Sequence, residues 1–239
     1  MNICISWASS WIWEALAKQY QQNWDTLTLT ARDETQKQKM QMDFPKADFF
    51  LVDFANTKQV QDFANSVKKL KLDMFFMCAW VGTYTPFWDM QTQDIQSQFH
   101  VNMLAPLSIL HTCKESFLQN HTKVVFCSSV VADFYAKNMS IYSASKKALN
   151  QALSIVQEEY PQLRILNLHL WAVQTPMHTK VGFEKMQWKT LQKVIPRITM
   201  LAKKRSWESY VFWDWWFAWN ILAPLHRFYI QLKNLWKKF

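Results

Sequence analysis

Tyr142 and Lys146 stand four residues apart in the segment YSASK, a spacing that puts both side chains on one face of a helix. Ser129 lies thirteen residues before Tyr142, at the end of the apolar run VVFCSS, and Asn102 lies further back in FHVNMLAPL. A phenol titrates near pH ~10, too high to relay a proton at neutral pH. An ammonium one helical turn away favours the phenolate and lowers that value. A Tyr/Lys pair of this kind suits giving or taking a proton at an oxygen atom. Each of the four residues taken alone is more simply a surface tyrosine, a solvated lysine or a helix cap. Their order along the chain is what gives them weight together.

The elements that must position these residues alternate along the chain. Short apolar or β-branched runs at 2–6, 26–31, 48–52, 73–78, 123–128 and 163–170 read as strands. Between them, 12–22, 34–42, 57–70, 92–119 and 143–160 have helical spacing. Continuously apolar strands alternating with helices indicate a parallel sheet covered on both faces, and the right-handed crossover rule makes it an α/β doubly wound, Rossmann-type fold. No linker divides the chain, so 1–239 reads as one domain. Residues 176–205 fall outside the rhythm, and 209–212 read as a last edge strand. In 220–239, Ile221, Leu225, Phe228, Leu232 and Leu235 recur at helical spacing, with Pro224 in the first turn and Arg227, Lys233, Lys237 and Lys238 beside the stripe. That basic amphipathic helix would pack on its own fold, on a second subunit or on an anionic membrane surface.

Composition narrows the classes. Half the 239 residues are apolar and 19% are charged, which excludes disorder, collagen-like repeats and a disulfide scaffold. Cys4, Cys78, Cys113 and Cys127 form no C-x-x-C pair, and three of them sit in strand runs. Free thiols in a reducing, cytoplasmic setting fit best. The six histidines lack ligand spacing, so no metal is expected. Neither a signal peptide nor a spanning helix is legible. The net charge of +9 is concentrated in 185–239, with eleven Lys/Arg against Glu208 and Asp214. Nucleic-acid binding has only that charge behind it, since no dedicated motif is present.

With the Tyr142–Lys146 segment, Ser129 and Asn102 in this order, the sequence resembles the short-chain dehydrogenase/reductase family over about 2–177. The resemblance implies hydride transfer between a nicotinamide and a carbonyl or secondary alcohol. Tyr142 would donate or accept the proton on the substrate oxygen, and Lys146 would tune Tyr142 and bind the nicotinamide ribose. Ser129 would hydrogen-bond the substrate oxygen, and Asn102 would hold a water in the relay. The resemblance also implies a homo-oligomer formed through long helices.

The nucleotide end departs from the family in one residue type. Where the family has Gly-x-x-x-Gly-x-Gly after the first strand, this chain reads Trp7, Ala8, Ser9, Ser10, Trp11, Ile12, Trp13. There glycines allow a tight turn and close approach of a pyrophosphate to a helix N-terminus. Cys78, Ala79 and Trp80 stand for Asn-Ala-Gly. Trp171 stands for Gly in a segment that continues through Val173 and Thr175. Trp24 occupies a helix-to-strand turn that would take Gly. The chain has 2 glycines and 14 tryptophans, where about 17 glycines would be usual for this length. Most of these tryptophans therefore read as UGA codons whose source decodes them as Gly, which gives Gly at positions 7, 11, 13, 80 and 171. The alternative is a tryptophan-rich chain that has lost its cofactor. As written, an indole at 7 or 13 is expected to take space the pyrophosphate needs.

Cofactor choice is read at the end of the second strand. An acid there selects NAD, whereas Arg32 suits the 2′-phosphate of NADP, with Asp33 keeping NAD open. By the resemblance, Asp53 contacts the adenine, and Thr175 contacts the nicotinamide end. Met77-Cys78 in place of Asn-Asn removes a backbone brace, and Leu170 replaces a Pro. In the family the substrate is shaped by the segment after the sixth strand. Here that segment carries Val181, Phe183, Met186, Val194, Ile195 and Met200, which suit either an apolar substrate or packing on the core.

Overall fold

In a computed structural model the chain is described over residues 1–9, 11–133, 137–170, 173, 189–204, 207–212 and 225. Seven strands form one all-parallel sheet: β1 (Asn2–Ile5), β2 (Thr26–Ala31), β3 (Asp48–Leu51), β4 (Met74–Met77), β5 (Lys123–Ser129), β6 (Arg164–Leu170) and β7 (Trp207–Tyr210). Their order is β3-β2-β1-β4-β5-β6-β7. The helices are α1 (Trp11–Gln22), α2 (Glu34–Asp43), α3 (Thr57–Val67), α4 (Thr92–Phe99), α5 (Ala105–Gln119), α6 (Ser140–Glu159) and α7 (Leu191–Lys204). The strand order reverses between β1 and β4, and in such sheets ligands bind beyond the carboxyl ends of the strands at that crevice.

The two faces of the sheet bury separate cores. Ile3, Ile5, Leu29, Phe76 and Leu166 face α1 and α7, while Cys4, Phe75, Val124, Phe126 and Ile165 face α3, α5 and α6. Residues alternate between these cores along each strand, because successive strand side chains point to opposite faces. Phe63 joins the second core edge-on to Phe50, Phe54 and Phe75. Fully burying one such ring contributes roughly 1.5–3 kcal/mol.

The helix expected over 92–119 is broken by one wide π-type turn, His100–Leu104, and Asn102 lies in that turn. The last strand begins two residues earlier than expected. Val194 and Ile195 are buried in the core and Met200 packs against it, so their apolar pattern serves packing. Val181, Phe183 and Met186 lie outside the described residues, as do Ser10, Trp171, Thr175 and, except for Leu225, the stripe of 220–239. No helix among the described residues is long and apolar enough to cross a membrane.

Candidate active site

The residues singled out at the start gather at the carboxyl end of β5. Ser129 is its last residue, and α6 then brings Tyr142 and Lys146 back over the strand end. Both are buried, at 8% and 2% exposure. Burial pushes the Tyr142 phenol up to about 12, a hydrogen bond with the Ser129 side chain pulls it down, and the neighbouring Cys127 adds a smaller upward push. The lowering suggested by the Tyr–Lys spacing is therefore overridden by desolvation. Lys146 Nζ instead donates to the Cys127 carbonyl at 2.8 Å. Burial also drives the Lys146 ammonium down to about 8, against a smaller upward pull from Cys127 and Cys78. Ser129 Oγ accepts from Val131 N at 3.3 Å, starting the short turn that leads toward α6.

Asn102 is fully buried, and its amide is used by the protein. Oδ1 accepts from Val81 N at 2.8 Å, while Nδ2 donates to Val81 O at 2.8 Å and to Ser145 Oγ at 3.0 Å. The π-type turn thus aims Asn102 to tie the chain after β4 to α6. Such turns often mark functional positions. The expected loss of a brace at Met77-Cys78 is answered elsewhere. Ser6 Oγ accepts from Cys78 N at 2.8 Å and from Ala79 N at 3.3 Å, pinning β4's end to β1's. All four cysteines are free and buried, and the sulfurs of Cys78 and Cys127 lie 3.1 Å apart beneath Lys146.

Sequence reasoning missed Gly82. A Cβ built there would come within 2.9 Å of Tyr142 Cδ2, so only glycine lets the loop lie this close to the Tyr142 ring. Its signal was available, because it is one of only two glycines in the chain. Trp80 packs on the same ring, with centroids 5.7 Å apart and an edge-on tilt of 62°.

On the nucleotide side, Trp7 follows β1 with φ 61°, and its N–H donates to Thr30 Oγ1 at 2.9 Å. Its ring lies 6.4 Å from that of Phe54. Ser9 is half-buried in the turn, and Trp11, at the start of α1, is 45% exposed. Ile12 packs against the core. Trp13 is only 2% exposed and enclosed in that core, which corrects the expectation that its indole takes the space of a pyrophosphate, and Trp7 packs, partly buried, against both cores.

Among the described residues, five non-glycines have positive φ. Three are tryptophans: Trp7, Trp24 at 61° and Trp207 at 83°. At Trp24 the hydrogen bonds Asp25 N→Tyr20 O (3.2 Å) and Trp24 N→Gln21 O (3.0 Å) form the helix-ending motif whose left-handed residue is usually glycine.

Arg32 is exposed beyond β2, with Nε 3.6 Å from Asp33 Oδ2, and Asp33 caps α2 through Gln36 N. Asp53, past β3, accepts from Ala55 N at 3.0 Å. Ala79 is half-buried at the end of β4, and Val173 is buried and bridges to Lys189. Arg32, Asp53, Ala79, Tyr142 and Lys146 thus share the carboxyl edge of the sheet.

A sequence model of the short chain dehydrogenase family matches residues 2–185. The chain belongs to that family. It is 25% identical over 148 residues to a short chain dehydrogenase/reductase of Claviceps purpurea, a match covering 59% of this chain and 50% of the relative. The chain thus spans about half the length of that curated relative. An alcohol dehydrogenase from the archaeon Thermococcus sibiricus, solved with 5-hydroxy-NADP, superposes with a TM-score of 0.76 at 18% identity, over 87% of this chain and 94% of that one. A short chain dehydrogenase from Burkholderia cenocepacia in complex with NADP gives 0.80 at 15% identity, over 95% of each chain. A short-chain dehydrogenase from Streptomyces avermitilis also gives 0.80, at 16% identity over 99% of this chain and 96% of that one. At these identities the solved structures bear on the fold.

Proposed function

We propose that the protein, with glycine at positions 7, 11, 13, 80 and 171, is an NADP(H)-dependent oxidoreductase acting on a carbonyl or secondary alcohol. The observation that carries this is the buried Tyr142, one helical turn from the buried Lys146, over the end of β5 where Ser129 stands. When bound, the nicotinamide supplies or accepts the hydride. Tyr142 gives or takes the proton at the substrate oxygen, and Ser129 orients that oxygen. Lys146, held by the Cys127 carbonyl, presents a cation beside the ribose. Asn102 holds the β4 loop and α6 at a fixed spacing, the role its hydrogen bonds support in place of holding a water. A panel of ketones and aldehydes with NADPH and NADH tests this: turnover with none of them would overturn it.

Glycine at position 7 is supported by the left-handed backbone of Trp7, and Trp24 shows the same at a further turn; each costs a residue with a Cβ about 1–2 kcal/mol. As written, the chain does not fit the cofactor well, because the Trp80 ring packs edge-on against Tyr142 and the first turn carries a bulky residue with a left-handed backbone at Trp7. The written sequence thus favours the second reading, a catalytically silent scaffold. The mass of the protein from its source decides between them, since a mass that accounts for fourteen tryptophans overturns the recoding.

Preference for NADP rests on the exposed Arg32 guanidinium, and NADP in two of the superposed structures agrees with it. Arg32→Asp should shift the ratio of kcat/KM values toward NAD. An unchanged ratio would remove Arg32 from recognition of the 2′-phosphate. The substrate segment, a homo-oligomer, a cytoplasmic setting and membrane contact through 220–239 remain parts of this reading that rest on the sequence.

A further inference from the structure

The four buried cysteines fall into two kinds of setting. Cys4 and Cys113 lie in the core that faces α3, α5 and α6, where Cys113 Sγ donates to the Ala64 carbonyl at 3.3 Å. Packing as small apolar residues accounts for these two. Cys78 and Cys127 lie in the other core, so both side chains are on one face of the sheet. They directly follow Met77 and Phe126, which are register partners, and so stand side by side where β4 ends against β5. Their sulfurs are 3.1 Å apart, in hydrogen-bond contact.

This placement meets the geometric demands of a disulfide. Adjacent strands run about 4.8 Å apart, inside the Cα separation of roughly 4.4–6.8 Å that a disulfide spans. Closing the sulfurs from 3.1 Å to a bond of about 2.05 Å takes a movement of about 1 Å. Both backbones are held from the side: Cys78 N donates to Ser6 Oγ at 2.8 Å, and Cys127 O accepts from Lys146 Nζ at 2.8 Å. Burial, then the contact with Cys127, pushes the Cys78 thiol up, and the Lys146 ammonium pulls it partly back. Cys127 is 5% exposed and Cys78 0%, so a small solute reaches Cys127 first.

We propose that Cys78 and Cys127 form a redox-active dithiol that closes to a disulfide when it meets hydrogen peroxide. The Cys127 sulfur attacks one peroxide oxygen, the O–O bond breaks, and the other oxygen leaves as water with the thiol proton. Cys127 is then a sulfenic acid, with Cys78 beside it as the resolving thiol. The Cys78 sulfur attacks the Cys127 sulfur, the S–O bond breaks, and the hydroxyl leaves as a second water with the Cys78 proton. In all, the two thiols give up two electrons and two protons, and one peroxide becomes two waters. The new bond ties the end of β4 to the residue whose carbonyl holds Lys146. It forms independently of any hydride transfer, and neither sulfur belongs to a position read as Trp or Gly.

Peptide mass mapping of the full chain tests it. The reduced, folded chain is exposed to hydrogen peroxide and then unfolded in the presence of N-ethylmaleimide. A linked Cys78–Cys127 peptide pair is expected, about 2 Da lighter than its reduced parts together, with maleimide on Cys4 and Cys113 only. A thiol reductant added before the maleimide should make all four cysteines available to it. In Cys78→Ser, Cys127 should stop at the sulfenic acid, which dimedone traps, while in Cys127→Ser no dimedone should appear on Cys78. The first measurement uses no substitution, so it decides the matter even where a serine variant unfolds. Maleimide on all four cysteines after peroxide, links spread over other cysteine pairs, or sulfinic acid at Cys127 as the main product would each overturn the proposal.

Discussion

At the end of β5 the residue types agree with their positions, whereas at the end of β1 they oppose them. Tyr142, Lys146 and Asn102 are buried, Ser129 is half-buried, and each has a partner that fixes it. Trp7 takes a left-handed backbone that its side chain disfavours, yet its N–H still bonds Thr30 across to β2. The sheet register and the packing of α1 impose the turn, and the residue at position 7 follows. Backbone shape at this edge is therefore a property of the whole sheet, while chemistry belongs to the individual side chains. One half of the site can keep its shape without the residues that would use it.

The comparison breaks most sharply at Tyr142. In the protein with glycine at the five positions, Tyr142→Phe should lower turnover by at least about 10²-fold. NADPH affinity should stay within a few-fold, because the ring still fills its place. Steady-state rates and a binding titration check both, and near-normal turnover would remove the phenol from the mechanism.

The nucleotide half is sharpened by replacing Trp7, Trp11, Trp13 and Trp80 with Gly together. This set should turn a chain that does not bind NADPH into one that does, while single replacements do little, as expected of residues sharing one site. Trp13→Gly alone should also destabilise the written chain by about 3–5 kcal/mol, since it empties a core position. Tight NADPH binding by the chain as written would refute the steric argument.

Lys146 offers a smaller, pH-dependent effect. Its folded-state value of about 8 lies below the ordinary 10.5, so between these pH values the unfolded chain holds the proton and the folded chain does not. Stability from this residue therefore rises from pH 8 toward 10.5, by at most about 1.4 kcal/mol per pH unit. Below pH 8 both states are protonated and the contribution is flat. Subtracting denaturation curves of Lys146→Met from those of the parent protein removes the tyrosines and cysteines that titrate nearby. A flat difference across this window would show that Lys146 is not desolvated.

The smallest effect is at the exposed Trp24, away from the site. Trp24→Gly should stabilise the chain by about 1 kcal/mol, through relief of the left-handed backbone. Thermal melting measures it, and a lower Tm would mean that the indole's contact with Lys46 outweighs the strain.

By itself the sequence determined the α/β alternation, the all-parallel sheet and the order Asn102, Ser129, Tyr142, Lys146. These follow from the period of apolar residues and from local spacing on one helix, which need no knowledge of distant contacts. The tryptophans at turn positions were legible for the same reason, since a tight turn is a local demand. Only the tertiary structure decided where Asn102 spends its hydrogen bonds, because its partners Val81 and Ser145 come from different elements. Ser6 as the brace of β4 and Gly82 as the gap beside Tyr142 were equally hidden, each defined by a neighbour far along the chain. The protonation of Tyr142 and Lys146 also waited for the fold. Spacing brings an ammonium near a phenol, but burial sets the cost of charge on both, and burial is a sum over every element packed around them.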